Sequence, residues 1–194
     1  TDFYAVYPYS DALKATQEAL FVHLPADQAP AYGTFAQRLN ISVAHGTKSA
    51  EADVVDGVVF ENVCALIRFT IPKQLEDVLE VSFTANNRNL AGDLVVSKSD
   101  MSVTCQSGTQ TVTMSGDFKA GGTYYFVVNP GLVDGFSTSA RTRSGSNYSR
   151  TSEKSFELRA GAIINLGDIV YNEDPSVVAE HSYDASGVLV GTDV

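Results

Sequence analysis

The stretch from Gly121 to Ile169, GGTYYFVVNPGLVDGFSTSARTRSGSNYSRTSEKSFELRAGAIINLGDI, constrains the fold most. Short β-branched and aromatic runs alternate there with Asn-Pro-Gly, Ser-Gly-Ser and Ala-Gly punctuation, which reads as four β-strands divided by turns. No segment in it offers an apolar stripe at helical spacing, and nothing in it resembles a reactive centre. The same rhythm runs through the rest of the chain. Phe3–Tyr7 reads as a strand stopped by Pro8, and Leu20–Leu24 as a strand stopped by Pro25. Proline has no amide hydrogen for a ladder, so it marks strand ends and edges.

Val58–Ile71 is the strongest core signal and reads as one strand. Ala65, Ile67, Phe69 and Ile71 fall on one face, and Leu66, Arg68 and Thr70 on the other. Leu79, Val81 and Phe83 repeat the pattern against Glu80, Ser82 and Thr84. Met101–Cys105 and Thr109–Met114 flank Ser107-Gly108, a hairpin signal. Tyr124, Tyr125 and Phe126 straddle one strand, with one or two rings in the core. About a dozen short strands and no long helix give an all-β expectation, an antiparallel β-sandwich over residues 1–171. Asn172-Glu173-Asp174-Pro175 is a polar break. Residues 172–194 then read as a linker and terminal strand, of the kind that leads to a further domain. The ends, Thr1-Asp2 and Gly191-Thr192-Asp193-Val194, read as those of a mature or engineered fragment, with any targeting signal upstream.

Charge and composition remove several function classes. The formal net charge is −10, so the basic footprint that neutralises phosphates is missing and no nucleic-acid partner is expected. Arg141, Arg143 and Arg150 read as the solvent face of a hairpin. No apolar run reaches the roughly 18 residues of a membrane-spanning helix. The chain reads as a non-enzyme without cofactor or metal. His23, His45 and His181 share no short spacing, and the acidic loop of Glu51, Asp53 and Asp56 lacks the ligand order of a calcium loop. No Gly-x-Ser-x-Gly elbow is present, and Gly121-Gly122 precedes neither a helix nor a phosphate-binding lysine. Cys64 and Cys105 read as two small buried hydrophobes, with a single disulfide as the second reading. Asn40-Ile41-Ser42 and Asn147-Tyr148-Ser149 match the glycosylation sequon. Nine tyrosines and ten phenylalanines keep open a glycan-binding module, although no tryptophan is present to stack on sugars.

Three segments resemble the fimbrillin family, the pilus subunits of anaerobic Gram-negative bacteria. Phe3-Tyr4-Ala5-Val6-Tyr7-Pro8-Tyr9-Ser10 is similar to its aromatic early strand. Val59-Phe60-Glu61-Asn62-Val63-Cys64-Ala65-Leu66-Ile67-Arg68-Phe69-Thr70-Ile71 is similar to its core strand, continuing into Val78–Phe83 and Leu90-Ala91-Gly92. Tyr124–Gly135 and Leu158-Arg159-Ala160-Gly161-Ala162-Ile163-Ile164-Asn165-Leu166-Gly167 resemble its closing pieces.

The resemblance implies transthyretin-like, Greek-key sandwich domains and a place on the cell surface or outer membrane in a fimbria. It implies a structural or adhesive subunit that joins other pilus subunits by β-strand exchange. The membrane is met only through a lipid anchor on the exported precursor, and a host protein or glycan is the adhesion partner. Within this reading Val188, Leu189 and Val190 are the candidate exchanging segment. The alternative is a glycan-binding β-sandwich module of a surface lipoprotein.

Overall fold

The computed structural model describes residues 2–11, 13–49, 54–170 and 176–180. Among them are sixteen strands and no helix. In chain order these are β1 (Asp2–Tyr7), β2 (Lys14–Ala15), β3 (Ala19–Leu24), β4 (Asp27–Gln28), β5 (Ser42–Lys48) and β6 (Val55–Asn62). β7 (Ala65–Thr70), β8 (Val78–Ala85), β9 (Ala91–Ser97), β10 (Val103–Thr109) and β11 (Thr111–Ser115) follow. The last five are β12 (Thr123–Val128), β13 (Gly131–Thr142), β14 (Asn147–Leu158), β15 (Ala162–Asp168) and β16 (Ser176–Glu180).

They form four sheets, ordered β1-β5-β6, β10-β9-β3-β2, β14-β13-β8-β11-β4 and β12-β7-β15-β16. The all-β sandwich expected from the alternation is what the chain forms. Pairing is antiparallel except for β4 with β11 and β7 with β15.

The five-stranded sheet and the β12-β7-β15-β16 sheet face each other, and side chains tie them at both ends. At one end Gln28 of β4 bonds the backbone of Val127 in β12. At the other end the Arg150 guanidinium of β14 donates to the carbonyls of Leu166 and Asp168. Between the layers the alternating faces bury their apolar members. Val81, Phe83 and Ala85 from β8 and Phe126 from β12 are all at 0% exposure, as are Ile67 and Phe69 from β7. Phe83 stacks on Phe136 with centroids 5.2 Å apart, and Phe69 on Phe126 at 4.9 Å. Such offset aromatic pairs add about 0.5–1.5 kcal/mol each beyond their buried area. The same apolar cluster continues into the two remaining sheets through Leu20, Leu24, Val43, Leu94 and Val96.

Four readings change in detail. Val58–Ile71 is two strands in two different sheets, broken at Val63-Cys64, where the chain leaves β5 for the core. Ser107-Gly108 is not a turn, since β10 runs through it, paired to β9 with a bulge between Cys105 and Ser107. Arg141 and Arg143 are on the surface, paired with Glu80 and Asp117. Arg150 is 4% exposed, with its guanidinium carbon 5.3 Å from the Phe136 ring centroid. Both cysteines are free, Cys64 fully enclosed and Cys105 half-buried, so the disulfide reading falls.

Candidate assembly edges and surface cleft

A sheet edge carries unpaired backbone donors and acceptors, so each edge is either covered or open to another strand. The β12 edge is covered. Gln28 places its carboxamide against Val127 as a substitute strand. Its Nε2 donates to the Val127 carbonyl at 2.7 Å, and its Oε1 accepts from the Val127 amide at 3.0 Å. Nε2 also donates to the Pro25 carbonyl at 3.2 Å, which fixes the amide's orientation. Further along the same strand the Gly33 amide donates to the Thr123 carbonyl. The opposite end of that sheet is β16, which pairs antiparallel with β15 through Ala162↔Glu180, Ile163↔Ala179, Ile164↔Val177 and Asn165↔Ser176.

The β6 edge is built differently. β6 is the outer strand of the β1-β5-β6 sheet and pairs with β5 from Ser42↔Asn62 to Lys48↔Val55. Val58 and Phe60 are 47% and 46% exposed, and Val59 between them is 67% exposed. The register Ala5↔Ala44↔Phe60 and Phe3↔Gly46 puts Phe3 and Phe60 on one face over a floor of alanine and glycine, and β6 bulges at Gly57-Val58, between His45↔Val59 and Thr47↔Asp56. Val59 points to the other face, beside the stacked rings of Tyr4 and His45. A run of three apolar residues on an edge strand with both faces wet departs from the usual protection of edges by charge or proline.

A cleft of about 400 Å³ opens where the end of β1 meets β3. Val6, Leu13, Val22 and Ile41 form its apolar lining, and Tyr9, Asp11, His23 and Arg38 supply polar groups. Tyr9 is 67% exposed and its hydroxyl donates to Asp11 Oδ1 at 2.9 Å. The Arg38 guanidinium donates to the Tyr9 carbonyl at 2.8 Å. Beside the cleft, His23 Nδ1 lies 2.8 Å from Asp93 Oδ1, and the Ser107 hydroxyl donates to Asp93 Oδ2 at 2.8 Å. The hydrogen bond from His23 and then that from Ser107 hold the Asp93 carboxyl below the usual carboxylate range. Serine, carboxylate and imidazole are in an order unlike that of a nucleophilic triad. The hydroxyl gives its proton to the carboxylate, and the imidazole does not reach it.

Val188, Leu189, Val190 and His181 lie outside the described residues, as do Glu51 and Asp53 of the acidic loop. Among the described residues no group of three His, Cys, Asp or Glu side chains converges as a metal site. His45 stacks on Tyr4 and sits 3.4 Å from Asp2. Asn40 of the first sequon is 7% exposed, and its side-chain amide donates to Asn62 Oδ1, so that asparagine is not presented as an acceptor. Sequence reading missed both edge features. Val58-Val59-Phe60 carried a usable signal, three apolar residues between a glycine and a glutamate, whereas a lone glutamine in a loop carries none.

No family model matches the chain, and no curated protein does either. The fold is similar to the crystal structure of a Bacteroides ovatus protein described as a "putative cell adhesion protein". The two superpose with a TM-score of 0.60 at 14% identity, over 91% of this chain and 66% of that one. At that identity the likeness is one of fold, and this chain spans just under two thirds of its neighbour's length.

Proposed function

We propose that this protein is a structural or adhesive subunit of a cell-surface fimbria of the fimbrillin type, assembled with other pilus subunits by β-strand exchange. The observation that carries the reading is the exit of the chain. Among the described residues the last strand, β16, is an outer strand of its sheet and pairs with β15. The sequence then continues to Val188-Leu189-Val190, the proposed exchanging segment. An edge strand can be replaced by a donor from another subunit without disturbing the layers behind it. Burying about four aliphatic side chains of a donor yields roughly 6–12 kcal/mol gross, comparable with the roughly 5–15 kcal/mol stability of a whole domain. A non-covalent joint of that size persists. The fold shared with a protein described as a cell adhesion protein supports a surface role. The reading assigns no catalytic step, metal or cofactor, and leaves the membrane to a lipid anchor on the exported precursor.

Deletion of residues 181–194 tests it. Assembly measured by light scattering is lost while the melting temperature of the subunit is kept. A large fall in melting temperature with assembly unchanged refutes the proposal, because the segment then serves its own sandwich.

A glycan-binding module is the second reading, favoured by the cleft in which exposed Tyr9 stands beside Asp11, His23 and Arg38. An aromatic face with flanking charged hydrogen-bonding groups suits a sugar ring. Glycan-array binding abolished by Tyr9→Ala supports this reading, and an array without signal removes it.

A further inference from the structure

We propose that the cleft beside β1 is one half of a longer groove that binds a linear, uncharged oligosaccharide, with successive sugar residues on either side of His23. It rests on the glycan reading of the cleft and extends that reading to a second hollow. This hollow, of about 410 Å³, is lined by Lys14, Phe21, Val22, His23, Asp93 and Gln106. Val22 and His23 also line the first cleft, so the two hollows meet at β3. Each lies within the roughly 300–1,000 Å³ of small-molecule sites. Phe21 and His23 are two residues apart on β3, so their side chains leave the same face of the sheet, roughly 6.5 Å apart. Tyr9 lines the first hollow and Phe21 the second, so each side of His23 has an aromatic ring.

Backbone groups add to the lining. The Lys98 amide donates to the Glu18 carbonyl, and β3 pairs with β9 without a register shift, so the even residues of β3 turn their peptide groups to β9. The Thr16 amide donates to the Ala19 carbonyl, which turns the odd ones to β2. β2 reaches only as far as Phe21. His23 therefore turns its N–H and C=O past the end of β2, where no backbone group among the described residues pairs with them. On β10, the bulge between Cys105 and Ser107 leaves Gln106 with no opposite residue in β9. Its exposed carboxamide has no hydrogen-bond partner among the described residues. Bulges beside a site re-aim a side chain in this way.

The lining selects the ligand. Lys14 and Arg38 are matched by Asp11 and Asp93, so with histidine counted neutral the groove has no net charge to attract an ion. Asp93 is already held by His23 and Ser107. Four ionised side chains suit an apolar molecule badly. A peptide strand would find a single open residue, His23, before Pro25, which has no amide hydrogen. A polyhydroxylated ring with an apolar face uses what is present: aromatic and aliphatic walls to stack on, and donors and acceptors together at the rim.

The experiment is calorimetric titration of the full chain with sugars of increasing length. The probes are linear hexasaccharides of glucan, mannan and xylan, their monosaccharides, and hexagalacturonate as the acidic counterpart. A neutral hexasaccharide binds at least about tenfold more tightly than its monosaccharide, and hexagalacturonate does not bind. Gln106→Ala, at an exposed position, weakens the hexasaccharide about tenfold and leaves both the monosaccharide and the melting temperature unchanged. Tyr9→Ala weakens both sugars. If Tyr9→Ala abolishes binding while Gln106→Ala changes nothing, the first cleft is the whole site: the longer groove is overturned and the glycan reading stands. A hexasaccharide no tighter than its monosaccharide has the same meaning. Preference for hexagalacturonate overturns the uncharged class. Absence of binding by every probe overturns the groove, and a glycan array without signal removes the glycan reading with it.

Discussion

Replacing Gln28 by leucine keeps most of the side-chain volume and removes both bonds to Val127 together with the bond to Pro25. Gln28 is 5% exposed and both Val127 bonds are buried, so water does not substitute freely. A buried backbone group left without a partner costs about 1–3 kcal/mol. Two such groups on Val127 give a loss of about 2–6 kcal/mol, a large part of a stability of about 5–15 kcal/mol. Gln28→Glu separates the two bonds. A carboxylate still accepts from the Val127 amide but confronts the carbonyls of Val127 and Pro25, at 2.7 and 3.2 Å from the replaced nitrogen. It regains a donor only when protonated, so its folded-state pKa rises above the unfolded value of about 4.3. That contribution to stability is therefore present at low pH and lost as pH rises through the folded pKa. Urea unfolding followed by far-UV circular dichroism measures both effects, since the chain has no tryptophan. A loss under about 1 kcal/mol for Gln28→Leu, with the Val127 amide still protected from hydrogen exchange, would refute the role given to this glutamine.

Two other consequences follow from titratable groups. Burial pushes the Cys64 thiol up to about 12, so the unfolded chain loses this proton first as pH rises above about 9. Stability then falls by up to about 1.4 kcal/mol per pH unit until the folded pKa is reached. Cys64→Ala lacks this component in alkaline urea titrations, and identical pH slopes for the two proteins would contradict it. For Asp93, His23→Ala raises the carboxyl pKa seen by NMR, and Ser107→Ala raises it by less. A larger shift from the serine change would reverse the ranking of the two bonds.

Where a strand's own side chains determine its state, the sequence was readable. The alternation in Val78–Ala85 and the glycine-bounded run Thr123–Val128 appear as β8 and β12, with Tyr124 and Phe126 inside and Tyr125 half-buried. What escaped is what depends on a partner distant in the chain. Gly108 reads as a turn, yet its role is close approach. A Cβ there would strike the Ala91 carbonyl, and one on the facing Gly92 would strike the Ser107 carbonyl. Val58–Ile71 reads as one strand because the apolar residues run without a glycine or proline across Val63-Cys64, where the chain changes sheet. Arg150 reads as surface because arginine seldom lies inside, and only the carbonyls of Leu166 and Asp168 make its burial tolerable. The edge features of the assembly site are of the same kind. Exposed Val59 and buried Val43 are both valines in strands, and only the sheet order separates them.

The parallel contact of β15 with β7 bears on how the chain can be made. Leu66 must wait for Ile163, nearly a hundred residues later, before the inner sheet is complete. A nascent polypeptide emerging from the ribosome therefore carries an unclosed layer through most of its synthesis, and the long loop between these strands slows its final closure. Until Ile163, Ile164 and Leu166 arrive, one flank of Ile67 and Phe69 is bare, and a holding chaperone has its natural target there.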